Sequence, residues 1–179
     1  MNRRFNGLPD GARKVFVSWW HGLTSDNPSG QARADRAVLR RAGSLAAVAC
    51  TAAYQRVYRD MLAAHEGNPP WGEHKQERIA ALVALAAHLK TSVSLSLSLP
   101  QAMGPRGDGS ERNPVSELRF LRLLDAPDIE SLFTGLRRVL PLIEHPVDPC
   151  SLADDVFAWG DAVKKDWAYN YAWPKKSGG

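Results

Sequence analysis

Residues 73–90, EHKQERIAALVALAAHLK, constrain the fold more than any other stretch of the chain. Ile79, Leu82, Val83, Leu85, Ala86 and Leu89 return at three- and four-residue intervals, the signature of one face of an α-helix. Alanine, the strongest helix former, fills much of the remainder. The segment is the clearest helix in the chain, and the rest of the sequence extends the helical pattern around it.

A first helix is expected from just after Asp10 to about Leu23, and TSDNPSG (24–30) follows as a turn cluster. A second runs from about Gln31 to Ala42. Ser44 is placed to cap a short LAAVA helix, and Thr51 to cap AAYQRVYRDMLAAH, which Gly67-Asn68-Pro69-Pro70 ends. SVSLSLSLP (92–100) alternates like a strand, but no other segment offers it a partner, so it reads as an irregular connector. Residues 101–114 are rich in Gly, Pro and polar groups and read as a flexible loop. Asn113-Pro114, Pro127-Asp128 and Asp148-Pro149 mark further helix starts, the last opening a helical region that reaches Trp173. The fold class expected is all-α, with eight to nine helices in two packed bundles. Residues 1–100 form an N-terminal bundle with a basic face, 101–114 the loop, and 115–179 the C-terminal bundle.

The hydrophobic fraction, 44%, is enough to build a core without staples. The two cysteines, Cys50 and Cys150, lie far apart and have neither disulfide-framework nor zinc spacing, so both are expected as small buried hydrophobes. The start MNRRFNGLPDG has no apolar h-region, and no apolar run approaches ~20 residues. The expected location is the cytoplasm, with no membrane partner.

Charge is distributed unevenly. Residues 1–60 carry ten Lys or Arg against four Asp or Glu, residues 61–110 balance at zero, and residues 111–179 balance at −2. On a helical wheel of residues 31–45, Val38, Leu39, Ala42 and Leu45 fall together. Arg33, Arg36 and Arg40 cluster opposite, with Arg41 at their edge and Asp35 on the apolar side. In residues 115–124, Leu118, Phe120, Leu121 and Leu124 fill a wide apolar arc, while Arg119 and Arg122 share the polar one. Arg137 borders the apolar face of the next helix and Arg138 points away from it. Lys164 and Lys165 lie beside Trp159, Trp167 and Tyr171. Any one such stripe is ordinarily just a solvated face. Four of them, if aligned, make a track for a phosphate backbone. Aromatics at helical spacing are ordinarily core, and Trp19, Trp20 and Trp159 are read so. Tyr169 and Trp173 fit either core or surface.

Catalytic chemistry finds little support. The five histidines show no metal-binding spacing, and there is no dinucleotide or phosphate-loop motif. Asp154, Asp155 and Asp161 sit near a helix start, where carboxylates favour the macrodipole. The chain is expected not to be an enzyme and to need no metal or cofactor.

FVSWWHGL, ADRAVLRRA, AAYQRVY, SELRFLRLLDA, GLRRVLPLI and VDPCSLADDVFAWGDAVKKDWAYNYAW occur in that order. With these segments the chain resembles CasB, the small subunit of the type I-E CRISPR Cascade complex, over residues 12–173. The resemblance implies a two-bundle helical fold, no nuclease activity, and a place beside a second copy of itself and the backbone and large subunits. It also implies contact with guide RNA and with single- and double-stranded DNA, holding the guide–target hybrid and the displaced strand. Matched residue by residue, the family's double arginine falls on Arg40 and Arg41, a basic position before an aromatic on Arg119, a second arginine pair on Arg137 and Arg138, and the basic pair after Trp-Gly on Lys164 and Lys165. The glycine of the family's SLG-x-x-LA-like segment is missing from SLSLPQAMG, which leaves that connector's path open. Two other readings are a helical adaptor for acidic protein surfaces and a helix-turn-helix regulator turning at Gly43-Ser44. The second is weakened by LAAVAC, which offers no polar side chain to read a base.

Overall fold

The computed structural model describes residues 7–65, 70–91, 96–105 and 112–175. Among these, ten α-helices follow in order: α1 Asp10–Thr24, α2 Gly30–Arg41, α3 Leu45–Ala49, α4 Ala52–Ala63, α5 Glu73–Ala86, α6 Leu99–Ala102, α7 Glu117–Leu124, α8 Ile129–Val139, α9 Pro149–Phe157 and α10 Asp161–Asn170. No described helix is long and apolar enough to cross a membrane.

Short polar side chains set most of the starts. Ser29 accepts from the Ala32 N–H at 3.0 Å, Ser44 from Ala47 at 3.1 Å, Thr51 from Tyr54 at 3.1 Å and Asp128 from Ser131 at 2.8 Å. Each satisfies one of the donors that a helix N-terminus leaves open. One start differs from expectation. Ser116, not Asn113-Pro114, caps α7, and the Asn113 amide donates instead to the Ala172 carbonyl at 2.6 Å. The last helical region breaks at Ala158–Gly160 into α9 and α10, which raises the helix number slightly above the eight or nine expected.

Helix α5 is the centre of the molecule. Every residue from Ile79 to Ala87 is buried, as befits a helix that is apolar all round. It packs against α2, α3, α4, α8 and α9, so the helices before and after it share one hydrophobic core. Its C-terminal carbonyls lie where water cannot reach them readily, and other elements supply the donors. The Trp20 indole N–H donates to the Ala86 carbonyl at 3.0 Å, and Arg36 donates to those of Ala87 and Leu89 at 2.9 and 2.7 Å.

The connector has more order than the sequence suggests. Residues 92–95 lie outside the described residues, but Leu97 pairs with Val147 in an isolated parallel bridge. Its N–H donates to Pro146 at 3.0 Å and its carbonyl accepts from Asp148 at 3.1 Å. The strand-like residue therefore finds its partner about fifty positions away, beyond the reach of local pattern. Ser98 then opens α6, and Leu99, Pro100, Ala102 and Met103 are buried. Of the expected loop, residues 102–104 are buried against the body, and residues 106–111 lie outside the described residues.

Some side-chain positions also differ from expectation. Val38, Leu118 and Leu121 are 37%, 60% and 40% exposed, although the wheels place them on buried arcs. Phe120 and Leu123 carry the packing of α7, and Leu39 that of α2. Cys50, expected inside, is exposed beyond α3, and Cys150 is half-buried; both are free thiols.

Candidate nucleic-acid interface

Helix α2 buries only Leu39 completely, so apolar packing alone holds it weakly. Burial of one leucine contributes about 1.5–3 kcal/mol. Polar ties make up the difference. Asp35 lies on the packed side of α2 as expected and turns to α4, where it pairs with Arg56 at 2.7 Å, and it also accepts from Gln31 at 2.6 Å. The one acid of α2 is thereby tied to α4 and not to the arginine stripe. Arg36, half-buried, closes the end of α5. Arg137 crosses from α8 and donates to the Arg40 and Arg41 carbonyls at 3.2 and 3.5 Å, closing the end of α2. Its guanidinium carbon lies 5.7 Å from the centre of the Phe133 ring.

Three sequence-predicted residues therefore converge. Arg36 of α2 binds the carbonyls on either side of His88, just past the end of α5, and the charges of Arg40 of α2 and Arg137 of α8 also act on that ring. Burial first, then the charges of Arg40, Arg137 and Arg36, push the His88 imidazole down to about 4 from an ordinary 6.5. Burial and then Arg40 also lower the Arg36 pKa. Neither ring nitrogen of His88 has a hydrogen-bond partner among the described residues, and neither does Nε of Arg137. Arg33, Arg40, Arg41 and Arg138 are exposed around this cluster. None of these six arginines forms an ion pair with a described carboxylate; ion pairs made by other arginines include Arg13–Asp10 and Arg56–Asp35.

The other predicted positions lie on α7 and α10. Arg119 and Arg122 are exposed on α7. Lys164 is half-buried, with Nζ 5.6 Å above the Trp159 ring, while Lys165 is exposed. Trp167 and Tyr171 are buried and hydrogen-bonded, to Asp155 at 2.8 Å and to the Val115 carbonyl at 2.7 Å. Trp20 is buried, and Trp19 and Trp159 are partly buried against the core. Tyr169 and Trp173 are exposed. Among the described residues, no group of His, Cys, Asp and Glu is arranged to hold a metal ion. His88 is the residue that sequence reasoning missed, because its neighbours Ala86, Ala87 and Leu89 mark it only as the end of an apolar helix.

Comparison with known proteins follows this architecture. A family profile described as CRISPR-associated protein Cse2 matches residues 35–171. No curated protein matches the sequence significantly. Among solved structures, CasB from Thermus thermophilus is similar at 25% identity and a TM-score of 0.62, over 92% of this chain and 98% of that one. A second Thermus thermophilus structure, of a CRISPR-associated protein of the Cse2 family, is similar at 26% identity, with the same TM-score and coverage. A chain in the crystal structure of E. coli Cascade bound to a PAM-containing dsDNA target shares the fold at 19% identity and a TM-score of 0.61, over 89% of this chain and 92% of that one. The helical architecture and a profile match running from α2 through α10 lead to one assignment: the chain belongs to the CRISPR-associated Cse2 family, whose Thermus thermophilus relative is CasB.

Proposed function

We propose that the chain is the non-catalytic small subunit of a type I-E Cascade complex. In this reading its arginine face grips nucleic-acid backbone, both the guide–target hybrid and the displaced strand, and so stabilises the R-loop in antiviral defence. The observation that carries the reading is the meeting of α2 and α8 arginines with no ion-paired carboxylate among them. Arginine's planar, permanently charged fork suits phosphate oxygens, and such contacts need no sequence preference when guide pairing supplies it. Strand exchange in an R-loop is nearly balanced, so a few backbone contacts tip it.

The test is a titration of single-stranded DNA, duplex DNA and RNA across a salt series, with the wild type and the Arg40→Ala/Arg41→Ala double. The expected result is sequence-independent binding of about micromolar strength that falls steeply with salt. The double should lower the log–log salt slope on duplex by about 1–2. Absence of binding to every nucleic acid at low salt, together with salt-sensitive capture of acidic proteins, would shift the function to a helical adaptor. A helix-turn-helix reading has little support, since α3 has five residues and buries Leu45 and Val48.

A further inference from the structure

The end of α5 holds a group that the backbone-gripping role does not by itself require. His88 sits between two carbonyls, those of Ala87 and Leu89, that Arg36 binds at 2.9 and 2.7 Å. Arg137 reaches the α2 end beside it, and both nitrogens of the His88 ring are enclosed and partnerless among the described residues. Arg40 differs from the other two arginines in being exposed, and like them it pairs with no described carboxylate. Of the elements packed on α5, α2 supplies Arg36 and Arg40 and α8 supplies Arg137, and these are the charges that act on the imidazole. On α9, buried Asp155 accepts from Trp167. Neither it nor buried Asp154 is among the charges acting on His88. On α4, Tyr54 and Tyr58 bond to Gln76 near the opposite end of α5. α3 carries no titratable side chain.

We propose that Arg40 and His88 form one phosphate seat, braced by Arg137 at the end of α2, with His88 as a positioning residue that takes up a proton when a phosphodiester settles on Arg40. This rests on the backbone-gripping function above and adds to it a defined seat and a second layer. In the free protein, burial and then three positive charges favour the neutral ring. A phosphate beside Arg40 offsets part of that field and favours the imidazolium, which then has two N–H donors to direct toward the anion side of the cluster. The sign follows. The bound state holds His88 at a higher midpoint than the free state, so affinity rises as pH falls through the interval between the two. Among the described residues His88 is the one histidine with enclosed, partnerless nitrogens, so binding at Arg119 with Arg122 or at Lys164 with Lys165 should proceed without proton uptake.

The experiment follows the His88 imidazole resonances of the full chain through an acid titration, first alone, then with oligothymidylate, then with inorganic pyrophosphate. Oligothymidylate is chosen because thymine does not protonate in the acidic range. The seat predicts an upward move of about one pH unit with either probe, equivalent to about a tenfold gain in affinity across the interval. His88→Gln should lose that acid-side gain in oligothymidylate affinity. An unmoved His88 midpoint with oligothymidylate demonstrably bound overturns the seat, as does an undiminished acid-side gain in His88→Gln. A midpoint that moves with pyrophosphate while oligothymidylate fails to bind supports the seat and sinks the nucleic-acid function instead.

Discussion

Arg137 and Arg138 are adjacent in sequence and do different work. Arg137 is half-buried and closes the end of α2 through the Arg40 and Arg41 carbonyls, while Arg138 is exposed. A double replacement therefore mixes folding with binding. Arg137→Ala should destabilise the protein by about 1–2 kcal/mol, since it leaves two helix-end carbonyls without their donor. Arg138→Ala should leave the urea midpoint near wild type and lower nucleic-acid affinity instead; equal urea midpoints for the two singles would contradict this division. His88 gives a second residue-scale prediction. Its folded midpoint, about 4, lies below the 6.5 of an unfolded chain, so between those values the unfolded state binds more protons. Stability should fall as pH drops from about 6.5 to 4, by about 1–2 kcal/mol once partial solvent access to the ring is allowed for. Thermal melts of wild type and His88→Gln at pH 7 and 4.5 test this, the variant being expected to lose less.

Helix α2 is anchored at a few points, and that is what lets it display arginine. Leu39 is its one fully buried residue, so Leu39→Ala should cost about 2–4 kcal/mol. It should also reduce nucleic-acid binding, because it frees the helix that carries Arg33, Arg40 and Arg41. Amide exchange across residues 30–41, faster in the variant than across α5, would localise the loss. The crossing of α1 on α4 is close enough to depend on a missing side chain. A Cβ added at Gly11 would meet the Ala64 carbonyl oxygen at 2.3 Å, backbone that cannot step aside cheaply. Gly11→Ala should destabilise by about 1–3 kcal/mol even though alanine is the better helix former, and a denaturant melt of that single variant decides the sign.

At the scale of the whole molecule, α5 joins the helices on either side of it in the sequence. Its contacts with α8 and α9, and the single hydrophobic cluster running from Leu8 to Tyr171, give the two helical groups a common core. Unfolding should therefore be one cooperative transition, with calorimetric and van't Hoff enthalpies in a ratio of about one. Two resolved transitions would instead mean that the groups expected on either side of residues 101–114 fold independently.

Much of this was legible locally. Helical periodicity over residues 73–90, and caps at Ser44, Thr51 and Asp128, depend on neighbours three or four positions away, which the chain order specifies directly. The concentration of arginine on α2 and α8 was legible for the same reason. The tertiary structure alone decided which arginines are spent on structure. Arg36 and Arg137 serve carbonyls at the C-terminal ends of other helices because those carbonyls have no donor within their own helix. Tertiary packing also paired Leu97 with Val147, took Asp35 to Arg56, left Leu118 and Leu121 outside, and enclosed His88 among three charges. Each of these outcomes turns on which faces of distant helices meet, and a wheel drawn for one helix carries no information about that.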